Sequence, residues 1–145
     1  MLTDPWFSEK RGYYRGEPLA IPLADLGRID AVIVSHGHYD HYDMDTFKAC
    51  LNKEIPFIVK RGIAKKAIEA GFTRVIEVDA WESVDLGPIK ITATPAKHKV
   101  PEVTYVLQSL NKTVFFGADT LFIPELQNMA KQFPKIDVAL SFGYL

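Results

Sequence analysis

Three of the chain's four histidines lie within six residues, in the stretch SHGHYDHYDM. This stretch follows the apolar run Ala31–Val34, which is typical of a buried strand. In extended backbone, side chains two residues apart point the same way, so His36 and His38 can converge on one point, with Asp40 next along that side. His41 must then point elsewhere. The spacing suits two adjacent metal ions, with the imidazole pair on one ion and Asp40 with His41 on the other.

The remaining candidate ligands lie further along the chain. His98 is the fourth histidine and Asp119 ends the apolar run VFFGAD, and both follow strand patterns, where scaffolds commonly place functional groups. Each residue alone is better explained as surface chemistry or a cap. Together with the histidine-rich stretch they favour a metal site, the alternative being a fortuitous cluster that caps the helix at Asp45. Imidazole and carboxylate ligands favour zinc, with iron and manganese as alternatives.

The length, composition and net charge of the sequence limit the class of protein. A chain of 145 residues with 48% hydrophobic residues is expected to form one domain over residues 1–145. No apolar stretch is long enough for a membrane helix, so no membrane partner is expected. A net charge of -1 gives no broad positive surface for nucleic acid, so no nucleic-acid partner is expected. The single cysteine, Cys50, cannot form an internal disulfide and is expected to be a small buried residue. The first residues carry no secretory signal pattern, which predicts a cytoplasmic location.

Short β-branched or aromatic runs alternate with helical windows, which predicts an α/β or α+β class with helices covering sheet. Seven strands are predicted, at Ala31–Val34, Pro56–Val59, Val75–Val78, Ile89–Thr94, Val103–Leu107, Thr113–Phe116 and Val138–Leu140. Three helices are predicted, at Asp45–Leu51, Ile63–Ala70 and Pro124–Phe133. A further strand before the turn at Gly87, and a hairpin connection around Asn111, predict antiparallel pairing there. Residues 13–22 are predicted to be a loop, and MLTDP before it is predicted to begin with a strand.

In combination, these motifs resemble the metallo-β-lactamase superfamily. HGHYDH has the superfamily's HxHxDH form, and LTDP, IDAVIVSH, TPAKH, FFGADT and IDVAL match in order along nearly the whole chain. Asp43 after HYDHY, with the TDP and TPA-x-H forms, is closer to the branch of L-ascorbate 6-phosphate lactonase and N-acyl phosphatidylethanolamine phospholipase D than to the antibiotic-degrading lactamases. The resemblance implies a partial αββα sandwich that is incomplete at both termini, because it lacks strands before TDP and a further histidine after Val138–Leu140.

The resemblance also implies roles for individual residues. The first metal would be held by His36, His38 and His98, the second by Asp40 and His41, and Asp119 would bridge both. Because the further histidine is missing, the second ion is expected to bind more weakly. Asp43 has two alternatives, a hydrogen bond to a ligand histidine or a cap on the following helix.

The implied activity is that of a metal-dependent hydrolase acting on a small-molecule substrate. Metal-activated hydroxide would attack an ester, lactone or phosphodiester, with Asp40 as the catalytic residue that orients the hydroxide and assists proton transfer. The alternative is a metal-binding fragment or subunit without independent catalysis, completed as a homo-oligomer through open sheet edges. A nuclease of the same superfamily is disfavoured by the neutral charge balance.

Overall fold

The computed structural model describes residues 1–9, 12, 16–50 and 52–141. The chain forms two compact units, Met1–Glu77 and Val78–Leu145. Within the described residues, no helix is both long and apolar enough to cross a membrane. The expectation of a single domain over residues 1–145 stays a prediction.

The first unit is built on a four-stranded sheet. In order across the sheet, its strands are β1 (Leu2–Thr3), β2 (Val32–Val34), β3 (Phe57–Lys60) and β4 (Val75–Val78), which ends where the second unit begins. β1 and β3 both pair with β2 in parallel. All three residues of β2 are buried, which agrees with its uninterrupted apolar sequence, because a strand covered on both faces has no polar side. The carboxyl end of β2 is where the histidine-rich stretch begins.

Among the described residues of the first unit, two α-helices and one short 3₁₀ helix accompany the sheet. They are α1 (Met44–Ala49), α2 (Lys65–Glu69) and the 3₁₀ helix Leu23–Asp25. An aromatic core lies beneath α1, where the Phe57 ring packs 4.9 Å from Phe47 and 4.8 Å from Phe72, measured between ring centroids. Tyr42 joins this core, and its hydroxyl donates to the Ile63 carbonyl at 2.6 Å. Burial raises the pKa of Tyr42 to about 12, so the hydroxyl remains a donor and anchors the histidine-rich stretch to the core.

The second unit is built on a five-stranded sheet. Its strands, in order, are β5 (Ser83–Leu86), β6 (Ile89–Pro95), β7 (Val103–Gln108), β8 (Thr113–Phe116) and β9 (Val138–Leu140). β5 to β8 are antiparallel to one another, and β9 pairs with β8 in parallel. The helix α3 (Glu125–Gln132) buries Met129 against Val106 and Phe115 of the sheet. The parallel step from β8 to β9 requires a crossover, which α3 supplies.

The α/β class is confirmed, and the strand predictions differ from the structure only at their ends. β3 begins at Phe57 because Pro56 has no N–H to donate, although its carbonyl accepts from Val32 N at 2.9 Å. α2 is shorter than predicted and begins after Ala64, which supplies no side-chain cap. The predicted end of the first helix at Leu51, and Tyr13 to Arg15 of the predicted loop, lie outside the described residues.

Candidate metal centre

In the first unit, a turn gathers the three clustered histidines. The backbone leaves β2 at the buried residue His36, and the N–H groups of His41 and Tyr42 then donate to the His38 carbonyl at 3.2 and 2.7 Å. This turn ends the extended geometry on which the sequence argument for His41 rested. The His36 ring consequently lies 4.7 Å from the His38 ring and 4.1 Å from the His41 ring, between centroids.

The ring nitrogens of His36 and His38 point at one place. His36 Nε2 lies 2.9 Å from His38 Nδ1. Two nitrogens bound tetrahedrally to one zinc ion are separated by roughly 3.3 Å, given Zn–N bonds of about 2.0–2.1 Å. A small increase in the separation of these two nitrogens would therefore accommodate an ion. The convergence that the i, i+2 spacing predicts is present.

The carboxylate of Asp4, the residue that follows β1, accepts hydrogen bonds from the histidine-rich stretch. Asp4 Oδ1 accepts from Ser35 N at 2.7 Å, and Asp4 Oδ2 accepts from Ser35 Oγ at 2.5 Å and from His41 Nδ1 at 2.7 Å. Burial raises the pKa of Asp4, and the hydrogen bonds from His41 and Ser35 oppose that shift. Asp4, His36 and His41 each offer a ligand atom, and these atoms lie within 4.8 Å of one another.

These hydrogen bonds fix which nitrogen of each ring is available as a ligand. The Ser35 hydroxyl gives its proton to Asp4, so its oxygen accepts from His36 Nδ1, 2.9 Å away. The Nε2 atom of His36 then carries the lone pair. His41 likewise donates from Nδ1 to Asp4, which leaves Nε2, 3.7 Å from Asp40 Oδ2, as the nitrogen that can bind a metal. Ligating histidines are usually held in this way, by a partner on the other ring nitrogen.

Asp4 is the residue that the sequence argument missed. In the sequence Asp4 is notable only as part of the LTDP motif, and Asp43 is the residue offered as a partner of a histidine. In the structure Asp43 is the N-cap of α1, accepting from Asp45 N at 3.3 Å, Thr46 Oγ1 at 2.5 Å and Ser8 N at 3.1 Å. Burial raises the pKa of Asp43, but the bonds from Thr46 and Ser8 outweigh it and hold the pKa below its usual value. The capping alternative is therefore the one adopted.

In the second unit, the two loops that follow β6 and β8 lie side by side. His98 Nε2 and Asp119 Oδ2 are 3.9 Å apart, and both side chains are partly buried. The loops are joined by Leu121 N donating to Lys97 O at 2.9 Å and by Lys97 N donating to Thr120 Oγ1 at 2.8 Å. The pair that was predicted from distant sequence positions is thus brought together within this unit.

The predicted ligands accordingly fall into two groups. The first unit contains His36, His38, Asp40 and His41, and the second contains His98 and Asp119. Cys50 is buried on the first unit and carries no disulfide, as predicted. That the two groups serve one metal centre stays a prediction.

Comparison with known families identifies the chain. The profile of the beta-lactamase superfamily domain matches residues 1–143. The chain belongs to the beta-lactamase superfamily. Among solved structures, it resembles a possible metal-dependent hydrolase of Veillonella parvula, with a TM-score of 0.79 and 22% identity over 94% of this chain and 62% of that one. It also resembles the metallo-beta-lactamase fold protein YhfI of Bacillus subtilis, with a TM-score of 0.60 and 21% identity over 77% of this chain and 48% of the other.

Two relatives in sequence extend the comparison. An uncharacterized protein of Mycobacterium tuberculosis is 27% identical over 158 residues, covering 97% of this chain and 42% of the relative. The N-acyl-phosphatidylethanolamine-hydrolyzing phospholipase D 1 of Caenorhabditis elegans is 35% identical over 114 residues, covering 67% of this chain and 32% of the relative. This beta-lactamase superfamily chain thus spans less than half the length of both relatives. The metallo-β-lactamase fold inferred from the HxHxDH motif is confirmed.

Proposed function

We propose that the chain is a metal-dependent hydrolase with a two-part metal centre. From the roles that the superfamily resemblance implies, His36, His38, His98 and Asp119 would hold the first ion, and Asp40, His41 and Asp119 would hold the second more weakly. The observation that carries the proposal is the pair of convergent imidazole nitrogens, His36 Nε2 and His38 Nδ1, 2.9 Å apart beside the Asp4 and Ser35 network.

The donor set fits a divalent transition metal. The described residues that form the two groups offer imidazole nitrogens and carboxylate oxygens, and Cys50, the chain's one cysteine, is buried elsewhere in the aromatic core of the first unit. Nitrogen and oxygen ligands suit zinc, and they also suit iron or manganese. We infer zinc at the first position, because three imidazoles are a ligand set of catalytic zinc, and zinc can expand to five-coordinate, which would leave a position for water beside the Asp119 carboxylate.

Bound metal would supply a water that ionises near neutral pH and a Lewis acid that polarises the oxygen of the scissile bond. The chain's own contribution centres on Asp40. Its carboxylate is 36% exposed and lies 3.7 Å from His41 Nε2, so it can reach a substrate without leaving the cluster. We assign it the role of orienting the nucleophilic water, accepting its proton and passing that proton to the leaving group.

The substrate class is proposed as an ester, lactone or phosphodiester of a small molecule. The Caenorhabditis elegans relative, whose name describes hydrolysis of N-acyl-phosphatidylethanolamine, supports a phosphodiester among these, although only 32% of its length is matched. We place the activity in the cytoplasm, because a chain with a single cysteine does not need an oxidising compartment to fold.

Metal content and turnover test the proposal together. The His36→Ala/His38→Ala variant should lose most of the zinc that the wild type retains after dialysis, and with it hydrolysis of bis-p-nitrophenyl phosphate and p-nitrophenyl acetate. The matched control is Asp30→Ala/Glu54→Ala, which removes two exposed carboxylates of the same unit and should change neither quantity. Equal metal content in the histidine variant and the wild type would contradict the proposed metal centre.

A second candidate function rests on the outer edge of β9. Val138 and Leu140 are 48% and 47% exposed, and within the described part of the chain β9 pairs only with β8. An apolar edge strand of this kind invites pairing with another strand. We propose, as the alternative, a metal-binding subunit completed by a second copy. Light scattering decides between the two, because a monomer with hydrolase turnover contradicts this alternative and an inactive dimer contradicts the first.

A further inference from the structure

Glu102 is a buried carboxylate in the second unit that the proposed chemistry does not use. It precedes β7 and is only 7% exposed. Its Oε1 accepts a hydrogen bond from the backbone N–H of Asp119 at 2.9 Å, across 17 positions of sequence. Burying a carboxylate is costly unless it is hydrogen-bonded, so a glutamate kept at this position needs a reason beyond packing.

The segment that carries Asp119 is bent and needs external support. Ala118, just before it, has φ 44°, in the left-handed region that a residue with a Cβ rarely adopts. On the far side, the Thr120 hydroxyl accepts from Lys97 N at 2.8 Å and Thr120 N donates to Gly117 O at 3.2 Å. Thr120 therefore ties the carboxyl side of Asp119 to the loop that precedes His98.

Glu102 supplies the corresponding support on Asp119 itself. The Lys97 contacts hold the residues after Asp119, whereas the Glu102 carboxylate holds the Asp119 amide. A hydrogen bond that is buried away from water is electrostatically stronger than the same bond in water. The two anchors together set the direction in which the Asp119 side chain leaves the backbone, 3.9 Å from His98 Nε2.

We propose that Glu102 is a positioning residue that holds Asp119 in the orientation needed to ligate metal beside His98. The inference rests on the proposed metal centre, because it assigns Asp119 a ligand's role. Glu102 acts through the Asp119 backbone and not as a ligand, so its removal should loosen the site without removing a donor atom.

The first test needs no metal. In the metal-free full chain, hydrogen exchange at the Asp119 amide should become about tenfold faster in Glu102→Ala, the factor that one hydrogen bond is worth. Glu102→Gln keeps an oxygen acceptor and should stay within about threefold of the wild type. The matched control is Glu82→Ala, because Glu82 Oε2 accepts from Asp79 N at 2.8 Å elsewhere in the same unit. An Asp119 amide that exchanges equally fast in Glu102→Ala and the wild type would overturn the proposal.

The second test uses zinc and cobalt alone as probes. Competition with a chromophoric chelator should show zinc binding about 10–100-fold weaker in Glu102→Ala, as is typical when a supporting residue is lost, with near wild-type binding in Glu102→Gln. The absorption bands of bound cobalt should shift in the alanine variant only. Unchanged affinity and bands in Glu102→Ala, with binding lost in His36→Ala/His38→Ala, would overturn this inference and leave the metal centre standing. A wild type that binds no zinc would overturn both.

Discussion

Asp4 accepts three hydrogen bonds with one carboxylate, and two of them reach histidines, directly to His41 and through Ser35 to His36. One buried side chain therefore sets the tautomers of two proposed ligands for different ions. Asp4 lies at φ 42°, a strained value for an aspartate, and its N–H donates to Ile33 O at 2.9 Å, which fixes the carboxylate beneath the cluster.

We expect Asp4→Asn to weaken zinc binding about 10–100-fold, as the loss of a residue that orients ligands usually does. An amide offers only one oxygen, and its N–H₂ group would face a donor from Ser35 or His41. Chelator competition measures the affinity, and circular dichroism checks that the variant folds. Asp30→Asn, at an exposed aspartate paired with Arg28, is the control. Affinity within threefold of the wild type would show that Asp4 is only structural.

At the scale of elements, the short helix α1 is held at both ends by side chains. Asp43 caps its beginning, and Lys53 Nζ donates to the carbonyls of Phe47 and Lys48 at its end, the second at 3.1 Å. A six-residue helix is marginal by itself, so these contacts and its buried face determine its stability. Since α1 directly follows the histidine-rich stretch, its caps also steady that stretch.

Lys53→Met should lower the free energy of unfolding by about 1 kcal/mol, because the last carbonyls of α1 lose their donor and the Phe72 ring loses the ammonium that lies 4.9 Å from its centroid. Urea unfolding followed by fluorescence measures the change. Lys48 is an exposed lysine in the last turn of the same helix, and Lys48→Met should lower the free energy of unfolding by only a few tenths of a kcal/mol. Equal losses in the two variants would contradict a specific cap.

The link from β8 to β9 depends on Asp137. Its carboxylate accepts from Thr113 N at 2.9 Å and from Lys112 Nζ at 3.1 Å, and these bonds hold the Asp137 pKa below its usual value. A folded-state pKa below the unfolded one means that the stabilisation is present above the unfolded pKa of about 3.9 and is lost as pH falls through the folded value.

Asp137→Asn should therefore be less stable than the wild type near pH 7, and the difference should vanish in acid as pH falls through the folded-state pKa of Asp137. Urea midpoints at several pH values measure it. Glu54→Gln, at an exposed residue, should follow the wild type throughout. If the difference between Asp137→Asn and the wild type persisted unchanged in acid, the charge of the Asp137 carboxylate would not be what stabilises the connection from β8 to β9.

At the scale of the whole molecule, metal binding should stabilise the fold. Zinc at about 100-fold above its dissociation constant should add about 2.7 kcal/mol, since under the proposed function zinc would bind the folded state and not the unfolded chain. Thermal unfolding with zinc and with a chelator measures the shift. His36→Ala and His98→Ala lie in different units, and each should abolish most of it. A shift retained by His98→Ala would show that the first unit binds the ion without the second.

The sequence by itself determined the class, the strand positions and the family. Apolar runs bounded by turn residues are local signals, so Val75–Val78, Thr113–Phe116 and Val138–Leu140 were predicted with the bounds that the structure shows. The i, i+2 histidines are likewise a local pattern, which is why the convergence of His36 and His38 was predictable.

Only the tertiary structure decided which acids support the site. Asp4 and His41 are 37 positions apart, and Glu102 meets Asp119 across 17, so neither pairing leaves a periodicity in the sequence. Asp43 was assigned to capping α1 because three donors converge on it, a fact of packing and not of spacing. The turn at His38 also places the His41 ring beside the His36 ring, whereas extended backbone would point His41 away from it. Local patterns specify ligands, whereas hydrogen bonds between distant segments select the residues that orient them.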